Sequence, residues 1–88
     1  MRSNLELWEI VRDNFDENFK TNLHHLIIKI SHILKIITYH ESIILIKELN
    51  SYNLGRKYYY DLFLGEECDP KPRLKFIEKM IKKHKNIL

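Results

Sequence analysis

Leu23, Leu26, Ile27, Ile30, Ile33, Leu34 and Ile37 recur at steps of three and four residues, and no other stretch restricts the fold of this chain as much. That spacing lays them along one stripe of a helix, with His25, Lys29 and His32 on the opposite side. Isoleucine is branched at Cβ and suits strands, but apolar and polar residues do not alternate here and the run exceeds an ordinary strand. The stripe predicts a helix from about Thr21 to Ile37, whose apolar face must be covered by other elements.

The flanking segments supply those partners. Asn4 can cap a first helix in which Leu5, Trp8, Val11 or Arg12, and Phe15 share a face, and the Asn- and Asp-rich stretch from Asp13 to Asn18 predicts its break. Thr38 with Glu41 three residues on matches a capping box, so a further helix runs through Ile43, Ile44, Ile46 and Leu49 to about Ser51. Its apolar residues nearly surround it, which predicts the most buried element, and the short connection predicts that it runs antiparallel to its predecessor. Asp69 followed by Pro70 reads as the start of a last helix, with Leu74, Ile77, Met80 or Ile81, and His84 or Ile87 turned inward. Between Gly55 and Gly65 lies an aromatic segment containing Tyr58, Tyr59, Tyr60 and Phe63, read as a short helix or a packed loop. The expected fold is all-α, a single-domain bundle of four to five helices over residues 1–88.

Eighty-eight residues hold one modest core, and 44% hydrophobic against 31% charged residues excludes a disordered chain. Cys68 is the only cysteine, so no internal disulfide forms and a reducing cytosol is expected. The greasiest stretch, Leu23 to Leu49, is interrupted by Lys29, Lys35, Glu41, Lys47 and Glu48, far short of the ~18 uninterrupted apolar residues of a membrane span.

Charge is distributed unevenly. From Lys71 to Leu88 the chain carries seven bases and one acid, Glu78, and is formally +6, whereas the first seventy residues carry eight bases and eleven acids. Lys75, Lys79, Lys82 and Lys83 would form an outward ridge on the last helix, able to neutralise phosphates. Arg56 and Lys57 stand beside three tyrosines that could stack on unpaired bases. Glu6, Glu9, Asp13, Asp16 and Glu17 make an acidic front of opposite sign, suited to a basic groove. Either surface could also serve as a solvated face that keeps a small domain soluble.

Residues for catalysis are scarce. Cys68 lies among Glu66, Glu67 and Asp69, whose charge opposes thiolate formation, and two glycines cannot make a phosphate loop. His25 and His32 share a face of the expected helix, but neither a His-Glu-x-x-His motif nor a cysteine pair completes a zinc set. The sequence predicts a non-enzymatic protein without a metal or other cofactor, acting as a monomer or weak homodimer.

The segment Leu7-Trp8-Glu9-Ile10-Val11-Arg12-Asp13-Asn14-Phe15-Asp16-Glu17-Asn18-Phe19-Lys20-Thr21 resembles the opening of a group of short phage and prophage proteins. Pro72-Arg73-Leu74-Lys75-Phe76-Ile77 resembles their usual ending. Within that group the chain is most similar to anti-CRISPR proteins, and specifically to an inhibitor of a type VI-B RNA-guided RNase. The resemblance implies binding to a CRISPR effector nuclease as protein partner, to its guide RNA, or to their joint surface, in the host bacterial cytosol. It maps no contact residue position by position. Two alternatives stand beside it: a small basic nucleic-acid-binding regulator, weakened by the lack of a clear helix-turn-helix, and a phage structural or assembly protein.

Overall fold

The computed structural model describes residues 1–16, 23–52 and 70–86, and there the chain is all-α. The Arg56 to Leu64 aromatic segment, Asp69 and Glu17 lie outside the described residues. Helix α1 spans Asn4–Asp13, α2 spans Leu23–Ile28 and runs directly into a π-helical turn over Lys29–Ile33, α3 spans Tyr39–Ser51, and α4 spans Pro70–Asn86.

The start of α1 differs by one residue from expectation. Ser3, not Asn4, is the cap: its backbone is extended, its hydroxyl accepts from the Glu6 amide, and the Glu6 carboxylate accepts from the Ser3 amide at 3.2 Å. This reciprocal box satisfies two donors that a bare helix end would leave open. The inward face is Leu7, Trp8 and Val11, with Leu5, Ile10 and Phe15 packed at its edge; Arg12 stays outside. Asn14 ends the helix, its side-chain amide donating to the Ile10 carbonyl at 2.8 Å.

The long stripe from Leu23 to Ile37 does not form one α-helix. Leu23, Leu26, Ile27 and Ile30 are buried as their spacing requires, but the ladder then widens, with the Leu34 amide donating to the Lys29 carbonyl at 2.9 Å. Ser31, itself buried, turns its hydroxyl back onto the Ile28 carbonyl at 3.1 Å, a bond that competes with the regular ladder. An i to i+5 turn inserts one residue per turn, so the side chains after it rotate off the stripe. Ile33 and Leu34 are consequently 71% and 47% exposed. Lys35 takes a left-handed conformation, φ 55°, and reverses the chain so that the Ile36 and Ile37 amides both donate to the Ile30 carbonyl. Ile37 thereby returns to the core.

Helix α3 begins as its capping box dictates, the Thr38 hydroxyl accepting from the Glu41 amide and the Glu41 carboxylate from the Thr38 amide at 2.8 Å. It ends at Ser51. It is not the most buried helix: only Leu45 and Leu49 of its apolar residues are fully inside, and Ile43, Ile44 and Ile46 are partly exposed. Pro70 opens α4, where its missing amide costs nothing and its φ suits the helix. Phe76, Ile77, Met80 and Ile81 are its buried face, joined by Arg73, which is 1% exposed; Leu74 sits at the margin.

One core joins the four helices. α1 packs mainly against α4 and also touches α3, while α2 and its π turn pack against α3. Trp8 meets Phe76 edge to face at 5.9 Å between ring centres, and Tyr52, just past α3, meets the same Phe76 at 5.5 Å. Such edge-on pairs add roughly 1 kcal/mol each beyond burial.

Candidate interaction surface

The outward face of α4 follows from the same periodicity that buries Phe76 and Met80. Lys75, Lys79, Lys82 and Lys83 all lie on the exposed side, as their spacing predicts. They are not equivalent. The Lys79 and Lys83 ammonium groups sit over the Tyr52 ring, 5.0 and 5.3 Å from its centre, and Lys83 also reaches Glu48 at 3.4 Å. Contact with the Tyr52 hydroxyl, and then the Glu48 charge, holds the Lys83 ammonium above its ordinary range. Lys75 and Lys82, with no such anchors among the described contacts, point to solvent and form the outer line of the ridge. The last turn adds Lys85 beside Lys83 and His84, which complements the negative end of the helix dipole.

The acidic front is more internally compensated. Glu6 is engaged in the capping box with Ser3. Arg12 lies between Glu9, at 4.0 Å, and Asp13, at 3.4 Å, and so places a cation within the carboxylate row of α1. Asp16 lies beyond the helix, where it lines a cleft with Asn14, Phe15, His25, Leu26, Lys29 and Ile33. The structure therefore gathers Glu6, Glu9 and Asp13 on one helix and sets Asp16 apart; Arg56, Lys57 and Glu17 fall outside the described residues.

Glu48 went unmarked among the candidate residues, yet it links three helices. Its carboxylate accepts from the Trp8 indole at 2.5 Å and contacts His84 Nε2 at 2.7 Å, in addition to Lys83. Burial pushes this carboxyl up, but hydrogen bonds from His84 and Trp8 and the nearby positive charges outweigh it and hold the group below its usual range. Glu41 is similar at the opposite end of α3. It is 2% exposed, and its carboxylate accepts from the Arg2 amide at 3.0 Å and pairs with the Arg2 guanidinium at 2.9 Å. The Thr38 amide bond, opposed by burial and helped by Arg2, keeps its carboxyl low. No local sequence signal marks Glu48: a buried indole N–H needs an acceptor, but which residue faces Trp8 is set only by tertiary packing.

His25 and His32 have different surroundings, His32 lying within the π turn itself. His25 lines the cleft, whereas His32 lies edge-on to Tyr39 at 6.0 Å. Among the described residues no three histidine, cysteine or acidic side chains are grouped as a metal would require. No helix among them is long and apolar enough to cross a membrane. Comparison with known protein families, characterised proteins and solved structures finds no match for this chain.

Proposed function

We propose that this protein is a non-enzymatic inhibitor, an anti-CRISPR protein that binds an RNA-guided nuclease or its guide-RNA complex and so prevents target cleavage. The observation that carries a binding role is the division of α4: Phe76, Ile77, Met80 and Ile81 are committed to the core, while Lys75, Lys79 and Lys82 stand exposed along the other side. A rigid helix that presents cations at steps of three and four residues can follow a phosphate backbone without reading bases. The likeness of residues 7–21 and 72–77 to short phage and prophage proteins directs this surface to a nuclease, with a type VI-B RNase as first choice. In this reading the α1 carboxylates Glu9 and Asp13 approach basic protein surface near the RNA, and the inhibitor acts in the host bacterial cytosol.

The test combines capture and cleavage. The tagged chain is incubated with a purified type VI-B effector loaded with guide RNA, and guided cleavage is followed with and without it. The expected result is stoichiometric loss of cleavage, relieved when Lys75, Lys79 and Lys82 are together replaced by Gln. If RNA is touched, the slope of log affinity against log salt should fall by about one for each lysine removed. Salt-sensitive binding to random RNA with no effect on any RNA-guided nuclease would instead identify a solo nucleic-acid binder.

A further inference from the structure

The reversal between α2 and α3 is made without the residues that usually make one. No glycine or proline occurs from Leu23 to Ser51, and the corner itself reads Leu34-Lys35-Ile36-Ile37-Thr38. It closes instead through a π turn and a left-handed lysine, Lys35 at φ 55°. Helical periodicity meanwhile continues straight through it: Ile30, Leu34, Ile37, Glu41, Leu45 and Leu49 follow at steps of three and four. All but Leu34 are buried, so the inward faces of α2 and α3 would stay in line if the two were one helix. Nothing in the sequence forbids that helix.

The packing divides at the same corner. Among the described residues, α1 packs mainly on α4 and also on α3, and α2 packs on α3, so the extensive interhelical contacts join the half before the corner to the half after it. The specific bonds cross it as well: Trp8 to Glu48, Arg2 to Glu41, and His24 to Asn50 at 3.0 Å. Neither half covers its own apolar face. A second copy of the chain offers each half the same surface and the same bond partners.

We infer that the Leu34 to Thr38 corner is a hinge, and that the protein forms a domain-swapped dimer in which residues 23–51 run as one helix and each front half packs on the rear half of the other copy. The core contacts are then unchanged in kind, and the balance is decided at the corner. The closed corner holds the Thr38 and Glu41 capping box and the two amides on the Ile30 carbonyl. The straight helix replaces these with a regular ladder and relieves Lys35. Association costs translational freedom, so the monomer prevails in dilute solution and the dimer when concentrated. Each half keeps its outer surface, and the dimer presents two α4 lysine faces, whichever partner they meet.

The full chain, refolded from urea at millimolar and at micromolar concentration, is examined by sedimentation and by spin labels at His25→Cys and Asn50→Cys in a Cys68→Ser background. Labelled chain is refolded with a large excess of unlabelled chain, so that distances within one chain are read. The monomer gives a short distance, since His24 and Asn50 touch. The swapped dimer, present after millimolar refolding, gives about 38 Å at the 1.5 Å rise of a helix. Lys35→Gly favours the corner and disfavours the helix in both copies, and should weaken dimerisation roughly a hundredfold. Thr38→Ala, which removes the cap, should strengthen it roughly tenfold. A chain that stays monomeric after millimolar refolding would overturn the inference. So would a dimer that keeps only the short distance, its copies then being docked by their surfaces, or a dimer fraction indifferent to Lys35→Gly.

Discussion

Trp8 Nε1 donates to Glu48 Oε1 at 2.5 Å, and His84 Nε2 contacts that same oxygen at 2.7 Å, so that α1, α3 and α4 meet at one carboxylate. A tryptophan this deeply buried must place its N–H on an acceptor, and a charged acceptor makes the bond about twice as strong as a neutral one. Glu48→Ala strands the indole N–H and removes the anion between His84 and Lys83. The expected loss is about 2 kcal/mol, and Glu48→Gln, which keeps an acceptor, should lose about half of that. Urea unfolding followed by fluorescence of Trp8, the sole tryptophan, measures both. Equal stability of the Ala variant and the parent would mean that the carboxylate spends its time in solvent.

Acid sensitivity follows from the two carboxylates of α3. Both Glu41 and Glu48 are held below the ordinary value of 4.5 in the folded chain, Glu41 chiefly by the Thr38 amide and Glu48 by His84 and Trp8 acting against burial. A depressed folded pKa means that the unfolded chain takes up protons first as pH falls. The stabilisation is therefore complete above 4.5 and is lost as pH drops through the folded values. Urea midpoints should hold steady from about pH 6 to about pH 5 and decline below about pH 4. Glu41→Gln combined with Glu48→Gln should flatten that decline, and an undiminished slope would assign it to other groups. Lys83 acts in the opposite sense: raised above 10.5, it contributes below that value and loses its contribution as pH climbs through its folded pKa.

Much of this architecture is written locally in the chain. The Thr38 and Glu41 box, the end of α3 at Ser51, Pro70 at the head of α4 and the outward lysines all depend on residues within a turn or two of one another. The departures are of another kind. Hydrophobic period alone ran Leu23 to Ile37 as one stripe, but a buried Ser31 hydroxyl on the Ile28 carbonyl and a left-handed Lys35 are backbone events that periodicity does not register. Glu48 could not be singled out because its partners, Trp8 and His84, come from helices forty residues before it and thirty-six after it. Arg73 illustrates the same limit, since its lysine-rich surroundings suggest an outer face and only tertiary packing puts it inside. The α4 ridge was visible in the sequence; the exposure of Ile33 and Leu34 was not, because it exists only where the stripe fails.

The Thr38 cap carries more than the first turn of α3. Its hydroxyl fixes the Glu41 amide, and Glu41 in turn fastens Arg2, 39 residues before it, through both amide and guanidinium. Thr38→Ala removes the capping oxygen and should cost about 1 kcal/mol, with Thr38→Ser recovering most of it. Ser3→Ala, at the exposed mouth of α1, removes a similar bond without a long-range partner attached and should cost less. Thermal unfolding of the three variants gives the order. A Ser3 penalty equal to or larger than that of Thr38 would separate the cap from the Arg2 contact.

Lys35 holds φ at 55° with a Cβ present, a conformation that costs an L-residue about 1–2 kcal/mol relative to its right-handed alternative. The corner tolerates this because the reversal lets Ile36 and Ile37 donate to the Ile30 carbonyl and returns Ile37 to the core. Glycine removes the clash but gives the unfolded chain more freedom, which withdraws about 0.5–1 kcal/mol of the gain. Lys35→Gly should therefore stabilise the protein by about 0.5–1 kcal/mol, raising Tm by a few degrees in a domain of this size. Lys35→Val, branched at Cβ, should move Tm the other way, with Ile33 and Leu34 losing their fixed exposure as the corner rearranges. Because the Lys35 side chain is exposed, neither change subtracts core packing, and a Tm that falls for glycine as well would show that the corner stores no strain.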